Sequence, residues 1–466
     1  MEQILNVLAE ALGDGVRVDE FARMRYGRDA WARSELSGFV GDSGPLPMAI
    51  VFPADTARMA RAVRICRDAG VRMVPRGAGS GLSGGVLADA RSIVLATDRL
   101  VGMRACDPLD RVASFGAGTL GSDAEAAVAE RGFSLPHRPL AMGRSSVGGW
   151  VATRSSGVLS TGYGNIEDLV VGLEAVLPDG TVFRSRPTPR ASTGPDLRQL
   201  LIGSEGTLGI VTEVSVSLRS PPEQSLRRAY HFEHFAAGVD ALRAVMEPGW
   251  RPHLVRLLDA RESRRRFRDT CPSGRCALLL LHEGPAPRAE VEAAAVHRLA
   301  LAHGGQPLPA EFVDAWFELE EPWRGRRQLH EEGLVADTIE LAAGWSRLVR
   351  LHEAVGAALQ TEPSFLSASA EIAHAYPSGA SLSVSFLASP ERSSEMLEVH
   401  DRCWALVMRA TRDVGACIAH HQGIGRARRD WLPNELGPGG VRMLRSIKRV
   451  LDPDDLMNPG VLIPTG

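Results

Sequence analysis

The stretch Val71–Val86, V-R-M-V-P-R-G-A-G-S-G-L-S-G-G-V, constrains the fold more than any other part of the chain. Four strand-like residues, Val71 to Val74, run into Pro75 and then into a loop with glycines at positions 77, 79, 81, 84 and 85. Glycine reaches positive φ without steric cost and lets another molecule approach the main chain. Consecutive amides in such a loop can turn inward and form a concave anion site, suited to a phosphate or pyrophosphate. The plainer reading is a flexible Gly/Ser connection.

The flanking elements decide how the loop is presented. Residues 2–12 place Ile4, Leu5, Leu8 and Leu12 on one helical face, the pattern of a docking helix. Met48–Phe52 reads as a strand, Asp55 or Thr56 caps a helix through Asp68, and residues 71–74 form the next strand. The glycine loop therefore follows the second strand of a βαβ unit, whereas a simple mononucleotide fold carries its glycines after the first. Short strands are expected at 92–97, 102–106 and 110–115. After them Gly116-Ala117-Gly118-Thr119-Leu120-Gly121 spells a literal G-x-G-x-x-G before a helix over 122–131. A nicotinamide site wants an acidic residue about twenty positions further on. The chain offers Pro136, His137 and Arg138 there, so the motif reads as a strand-to-helix turn.

At 466 residues the chain is too long for one core and suggests about two to four domains. Its 53 basic and 56 acidic side chains leave a net charge of −3, which gives no sign of nucleic acid as a partner. The basic run Arg261–Arg268 reads as a solvated helix face. No run approaches the roughly eighteen apolar residues of a spanning helix. The six cysteines are sparse and no signal-peptide pattern opens the chain, so a reducing cytoplasm is the expected location. Cys271 and Cys276, in C-P-S-G-R-C, lack a second ligand pair with zinc spacing and read as ordinary thiols.

Residues 145–157, S-S-V-G-G-W-V-A-T-R-S-S-G, combine small residues and hydroxyls, a composition suited either to main chain against a flat ligand or to tight helix packing. Residues 169–177 and 181–183 form a hairpin around Pro178-Asp179-Gly180. Residues 201–212 lead into a strand ending at Leu218, and Ser220-Pro221-Pro222-Glu223 is the clearest boundary in the chain. Beyond it, strand-like 228–232 and 277–281 and helical stretches through Met246 and over 288–303 and 345–359 alternate as in a sheet covered by helices.

Several of these motifs, in order, resemble the vanillyl-alcohol oxidase and p-cresol methylhydroxylase superfamily of FAD enzymes. They are the glycine loop, S-V-G-G-W-V-A-T-R-S-S-G, Y-G-N-I-E-D-L-V-V at 163–171, S-T-G-P-D-L at 192–197 and G-S-E-G-T-L-G-I-V-T at 203–212. Within the superfamily the wording resembles the alkylglycerone-phosphate synthases, from about residue 25 to the end. The resemblance implies an α+β chain: an N-terminal helical segment (1–40), a two-subdomain FAD-binding domain of the p-cresol methylhydroxylase type (41–222), an α/β cap or substrate domain with an antiparallel sheet (223–415), and a C-terminal segment (416–466) returning to the active site. It implies that Pro75, Arg76, Gly77, Ala78, Gly79, Ser80 and Gly81 take the FAD pyrophosphate. Leu140, Ser145, Ser146, Gly149, Thr153, Arg154, Ser155 and Ser156 would lie along the flavin and its ribityl chain. Glu205, Gly206, Thr207, Leu208, Gly209, Ile210 and Val211 would complete the site. A histidine that tethers FAD in some members falls at Ser80, so noncovalent FAD is expected.

On the substrate side the resemblance singles out Arg256, in V-R-L-L-D, and Arg326, in W-R-G-R-R-Q, as substrate contacts. Arginine presents a fixed fork of donors suited to carboxylate or phosphate. A structural ion pair is the competing reading for each. Where the synthases carry three consecutive histidines this chain has His420, His421 and Gln422. Neighbouring residues in extended structure point to opposite sides, so one histidine is expected at the reaction and the other in packing. The synthase acid/base tyrosine aligns with Ser383, whose hydroxyl cannot exchange protons near neutral pH in the same role. Proton transfer would then fall to His420, His421, His374 or Tyr376. No metal is expected. The leading function is an FAD-dependent oxidoreductase that moves hydride from a small anionic alcohol or amine to flavin N5. A redox-neutral, synthase-like transferase working through a flavin N5 adduct is the alternative, and a non-catalytic flavoprotein the second. A homodimer is one candidate assembly, the oligomeric state being left open by the sequence, and no transmembrane segment is expected.

Overall fold

In the strand Ser92–Ala96 all five positions are buried, as suits a strand covered on both faces of a parallel sheet. The computed structural model describes residues 2–42, 44–268, 270–318 and 322–464, without the side chains of 322–324. Ser92–Ala96 pairs in parallel with Ala49–Val51 on one side and Arg72–Arg76 on the other, and Val16–Arg17 adds an antiparallel edge. The helix Thr56–Asp68 links Ala49–Val51 to Arg72–Arg76. Its N-cap is Asp55, whose carboxylate accepts from the Arg58 N–H at 2.7 Å. Met59, Val63 and Cys66 of this helix pack against Ile4, Leu8 and Leu12 of the helix Glu2–Leu12, the docking face read from the sequence.

A five-stranded antiparallel sheet follows, in the order Met103–Asp107, Val112–Gly116, Ile210–Ser217, Val170–Val176 and Val182–Arg184. The helices Gly121–Ala129 and Val147–Thr153 share its core. At Gly118 an added Cβ would collide with the Thr97 carbonyl. The G-x-G-x-x-G stretch is thus a strand-to-helix turn in which two backbones touch.

The chain then builds an antiparallel sheet in the order Gln306–Leu308, Gln224–Phe232, Cys276–Gly284, Leu254–Leu258, Phe365–Ile372, Gly379–Ala388 and Val335–Gly344, with Ala375–Tyr376 paired to Gly379–Ala388. The helices Phe235–Met246, Ala286–Ala302, Trp345–Leu359 and Met396–Val414 cover one face and form the largest apolar core with it. The period of two decides what the other face presents. Val255 and Leu257 join the helix-covered core, so Arg256 lies on the opposite face with Leu254 and Leu258. In the same way Ile339 and Leu341 pack inward while Glu340 is turned towards the FAD-binding half.

The C-terminal helix Leu432–Leu451 is kinked at Gly437, followed by Pro438. Beyond it the chain returns to the first sheet: the Met73 N–H donates to the Leu456 carbonyl and the Asn458 N–H to the Met73 carbonyl, both at 2.7 Å. Among the described residues no helix is long and apolar enough to cross a membrane.

Candidate active site

A cavity of about 1730 Å³ runs between the two smaller sheets and the exposed face of the large one. Its first wall is the glycine loop, with every residue from Pro75 to Gly81 contributing. The Ser146 Oγ accepts the Ala78 N–H at 3.3 Å, and among the described residues the Gly77, Gly79, Ser80 and Gly81 N–H groups have no protein acceptor. These residues are part-exposed along the cavity, and unpaired amides on such a loop are a ready site for an anion. Gly77 has no room for a side chain, since a Cβ would lie 2.5 Å from Ser146 Oγ. Behind the loop the Arg76 guanidinium lies 4.3 Å over the Tyr26 ring, a cation–π contact that holds a buried positive charge beneath the amides.

Leu140, Ser145, Ser146, Gly149, Thr153, Ser155 and Ser156 form the second wall, and Glu205, Gly206, Gly209, Ile210 and Val211 the third. Three residues expected here lie elsewhere. Arg154 adopts φ +52° at the end of its helix and pairs with Glu167. Thr207 is buried, its hydroxyl donating to the Ser204 carbonyl at 2.7 Å and its carbonyl accepting from Lys448 Nζ. Leu208 belongs to the apolar core behind the wall. Consecutive residues of a strand or turn alternate in direction, so a contiguous motif overstates the lining. An extended cavity with an amide cradle at one end and small or hydroxyl side chains along its length fits FAD.

Two buried carboxylates in this half were not singled out as titrating groups. Burial pushes Asp29 and Glu205 up to about 7, against the N–H groups that favour their charged forms. Glu205 also ties the histidine loop down, accepting the Ile424 and Gly425 N–H groups at 2.7 and 2.8 Å.

The large sheet supplies Arg256, Glu340, Glu371 and Ser383 to the remaining wall, the connection after Ile372 adds His374, and the C-terminal segment adds His421 and Gln422. Arg256 is 3% exposed; its Nη1 donates to the Ala373 carbonyl at 2.9 Å, its guanidinium lies 4.5 Å over the Trp316 ring, and its Nε has no partner. Arginine keeps its proton here, leaving a buried cation facing the cavity. Burial raises the Glu340 and Glu371 carboxyls; His420, the Ser383 hydroxyl and Arg256 pull Glu340 back down, and Arg266 and Arg256 do so for Glu371. Glu340 Oε2 has no hydrogen-bond partner among the described residues, and His421 Nδ1 lies 3.8 Å from it.

The histidines behave differently from the sequence expectation. The segment after Ile418 is a series of bends, so His420 and His421 converge, with their Nδ1 atoms 2.7 Å apart. His421 reaches the cavity; His420 stands behind it and bonds Tyr376 Oη through Nε2 at 2.9 Å. Tyr376 does not line the cavity, its hydroxyl accepting from Asn165 Nδ2 at 3.1 Å. Burial drives His420 and His421 down to about 3, and His374 well below its ordinary value. All three are neutral at pH 7, and none is a base poised near neutrality. His374, His420 and His421 bring one ring nitrogen each within 4.8 Å of one another, a cluster that could hold a cation despite the expectation of no metal. Arg326 lines the cavity, but its Nη2 donates to the Ala30 carbonyl at 2.8 Å and to Glu35 at 3.1 Å, and its Nη1 lies 3.7 Å from Asp337. It is an ion-paired strut between the N-terminal segment and the large sheet.

Comparison with known proteins agrees with this geometry. Residues 47–186 match the model of the FAD binding domain, and residues 222–462 that of the FAD linked oxidases, C-terminal domain. The chain is 30% identical over 435 residues to the uncharacterized FAD-linked oxidoreductase YgcU of Escherichia coli strain K12, covering 90% of both proteins. It is 28% identical over 434 residues to the mitochondrial cytochrome-linked D-lactate dehydrogenase of Arabidopsis thaliana, covering 90% of this chain and 74% of that one. In fold it is similar to a solved alkyldihydroxyacetonephosphate synthase (TM-score 0.81, 22% identity, 98% and 86% covered). It is also similar to p-cresol methylhydroxylase with substrate bound (TM-score 0.77, 17% identity, 99% and 96% covered). The protein belongs to the FAD-linked oxidases. It is a flavoprotein enzyme with a p-cresol methylhydroxylase-type FAD-binding domain.

Proposed function

We propose that the protein oxidises a small anionic substrate bearing a hydroxyl or amine, using noncovalently held FAD. The observation that carries this reading is the buried Arg256, which among the described residues has no carboxylate within ion-pair distance, beside Glu340 on the cavity wall. Arg256 would bind the carboxylate or phosphate of the substrate through its guanidinium. Glu340 would accept the proton as the substrate O–H or N–H bond breaks, because burial has raised its affinity for a proton while the histidines have lost theirs. His421 and Gln422 would orient the substrate. Gln422 is held by Arg428, whose Nη2 donates to Oε1 at 3.0 Å. FAD, when bound, supplies the acceptor for the hydride leaving carbon.

The glycine-loop amides would hold the cofactor's phosphates, and Ser80 offers no tether, so acid precipitation should leave yellow FAD in solution. The redox-neutral reading draws support from the likeness to the synthase. It is weakened at Ser383, which is buried and hydrogen-bonded to Glu340 where the resemblance calls for a phenol. The test is anaerobic mixing of holoenzyme with matched hydroxy acids and their neutral amides. The acids should reduce the flavin at least tenfold faster, and equal rates for both would remove the anion from the proposal.

A further inference from the structure

The geometry points to a second anion subsite at the mouth of the cavity, formed by the helix Ala260–Phe267 and the following Arg268. It would take a second phosphate or carboxylate group of the ligand, apart from the one facing Arg256. This rests on the reading of an anionic substrate and extends it to one with two anionic ends. Arg261, Arg264, Arg265 and Arg268 recur at i, i+3, i+4 and i+7, the spacing that places side chains on one helical face. All four are exposed and all four line the cavity, which puts that face at its entrance. The opposite face, with Glu262, Ser263 and Phe267, is buried. The solvated face read from the sequence is therefore also a rim.

The charge on this rim is only partly answered. Glu262 accepts from Arg265 at 2.8 and 2.5 Å and from Arg266 at 2.5 Å. Arg261 donates to the Ala368 carbonyl at 3.2 Å. Arg264 and Arg268 have no side-chain partner among the described residues. Arg261 and Arg265, like charges four residues apart on the helix, oppose its formation in the absence of a counter-charge, and Arg268 follows just past the helix end. Deeper in the same cavity the buried Arg256 contributes to the wall. A ligand spanning both would meet a guanidinium at each end. The four exposed guanidiniums give the mouth a local excess of positive charge that would draw anions to it, although the whole chain is net negative.

The test is calorimetric titration of FAD-loaded, full-length protein with inorganic pyrophosphate at low ionic strength. With FAD in place, pyrophosphate is kept from the glycine-loop amides, and no turnover is read, so failure here is separate from failure of the proposed oxidation. Arg264→Gln/Arg268→Gln alters only exposed side chains, and its flavin content and melting temperature verify folding. Saturable binding is expected, weakened about tenfold in the double variant and weakened by added salt in wild type. Equal affinity in wild type and double variant overturns the subsite, as does no saturable binding to wild type. Loss of binding in Arg256→Lys but not in Arg264→Gln/Arg268→Gln would place the probe at the inner arginine and overturn it equally.

Discussion

Replacing Gly77 with alanine should weaken FAD binding roughly 5- to 30-fold while leaving the protein folded. Gly77 is not at positive φ, so the cost is steric. The new Cβ would lie 2.5 Å from Ser146 Oγ, about 1 Å inside ordinary contact. Ser146 cannot yield freely, because its Oγ accepts the Ala78 N–H and caps the helix Val147–Thr153 through the Gly149 N–H, both at 3.3 Å. Losing a cap costs about 1 kcal/mol and losing a further hydrogen bond about the same. Against this, alanine stiffens the unfolded chain by about 0.4–1 kcal/mol. If the loop instead shifts to keep these bonds, its amides leave the positions that meet the pyrophosphate. Either way about 1–2 kcal/mol is at stake, or roughly 5- to 30-fold in the FAD dissociation constant. Quenching of flavin fluorescence on titrating stripped protein measures it. The double variant Gly77→Ala/Ser146→Ala removes the obstructing oxygen and should bind FAD better than the sum of its parts, the signature of a direct contact. Wild-type affinity in Gly77→Ala would refute the placement of the cofactor against this loop.

Arg256→Lys keeps a charge but loses the planar fork, so kcat/KM should fall about 10- to 100-fold with flavin content unchanged; equal loss of FAD would mark a structural arginine. Arg326→Lys should instead lower the melting temperature, since its donors hold Ala30 and Glu35. If Glu340 is the base, flavin reduction should slow as pH falls through its raised pKa, above the usual carboxylate range. That acid limb should vanish in Glu340→Gln and survive in His421→Ala, because a histidine near 3 does not titrate there. Loss of the limb in His421→Ala alone would transfer the role. Asp29, raised by burial to about 7, takes up a proton on folding. Its contribution to stability is therefore complete below the unfolded value of about 3.9 and is lost as pH rises through 7. Calorimetry of FAD-stripped protein should show up to about 3 kcal/mol less stability at pH 8 than at pH 5, with a shallower slope in Asp29→Asn.

The cofactor half of the molecule was legible because its signals are local. The cap Asp55, the glycine loop and the turn Pro178-Asp179-Gly180 each act on their immediate neighbours, and the helices and strands around them fall within a residue or two of expectation. Lining residues were harder to read: Arg154, Thr207 and Leu208 sit inside motifs whose other members face the cavity, and only the fold decides which way each side chain turns. The long helices Met396–Val414 and Leu432–Leu451 were not read, the second because Gly437 and Pro438 interrupt its pattern. Glu340 was missed although a clue was present. A carboxylate in the apolar run I-E-L-A-A, on a strand, is a buried charge in need of a reason. For the histidines the ordinary pKa does not carry over, because burial lowers all three, a property of the assembled walls and not of the local sequence.

The central claim is that electrons leave the substrate for the flavin, and an anaerobic titration tests it directly. Holoenzyme is mixed without oxygen with candidate hydroxy acids and amines, and with the substrates of an alkyldihydroxyacetonephosphate synthase as the synthase-type pair. Stoichiometric bleaching of the oxidised flavin band by one of the hydroxy acids or amines, with formation of the corresponding carbonyl or imine product, is the result expected. Product from the synthase-type pair with no bleaching and no consumption of an electron acceptor would contradict the account.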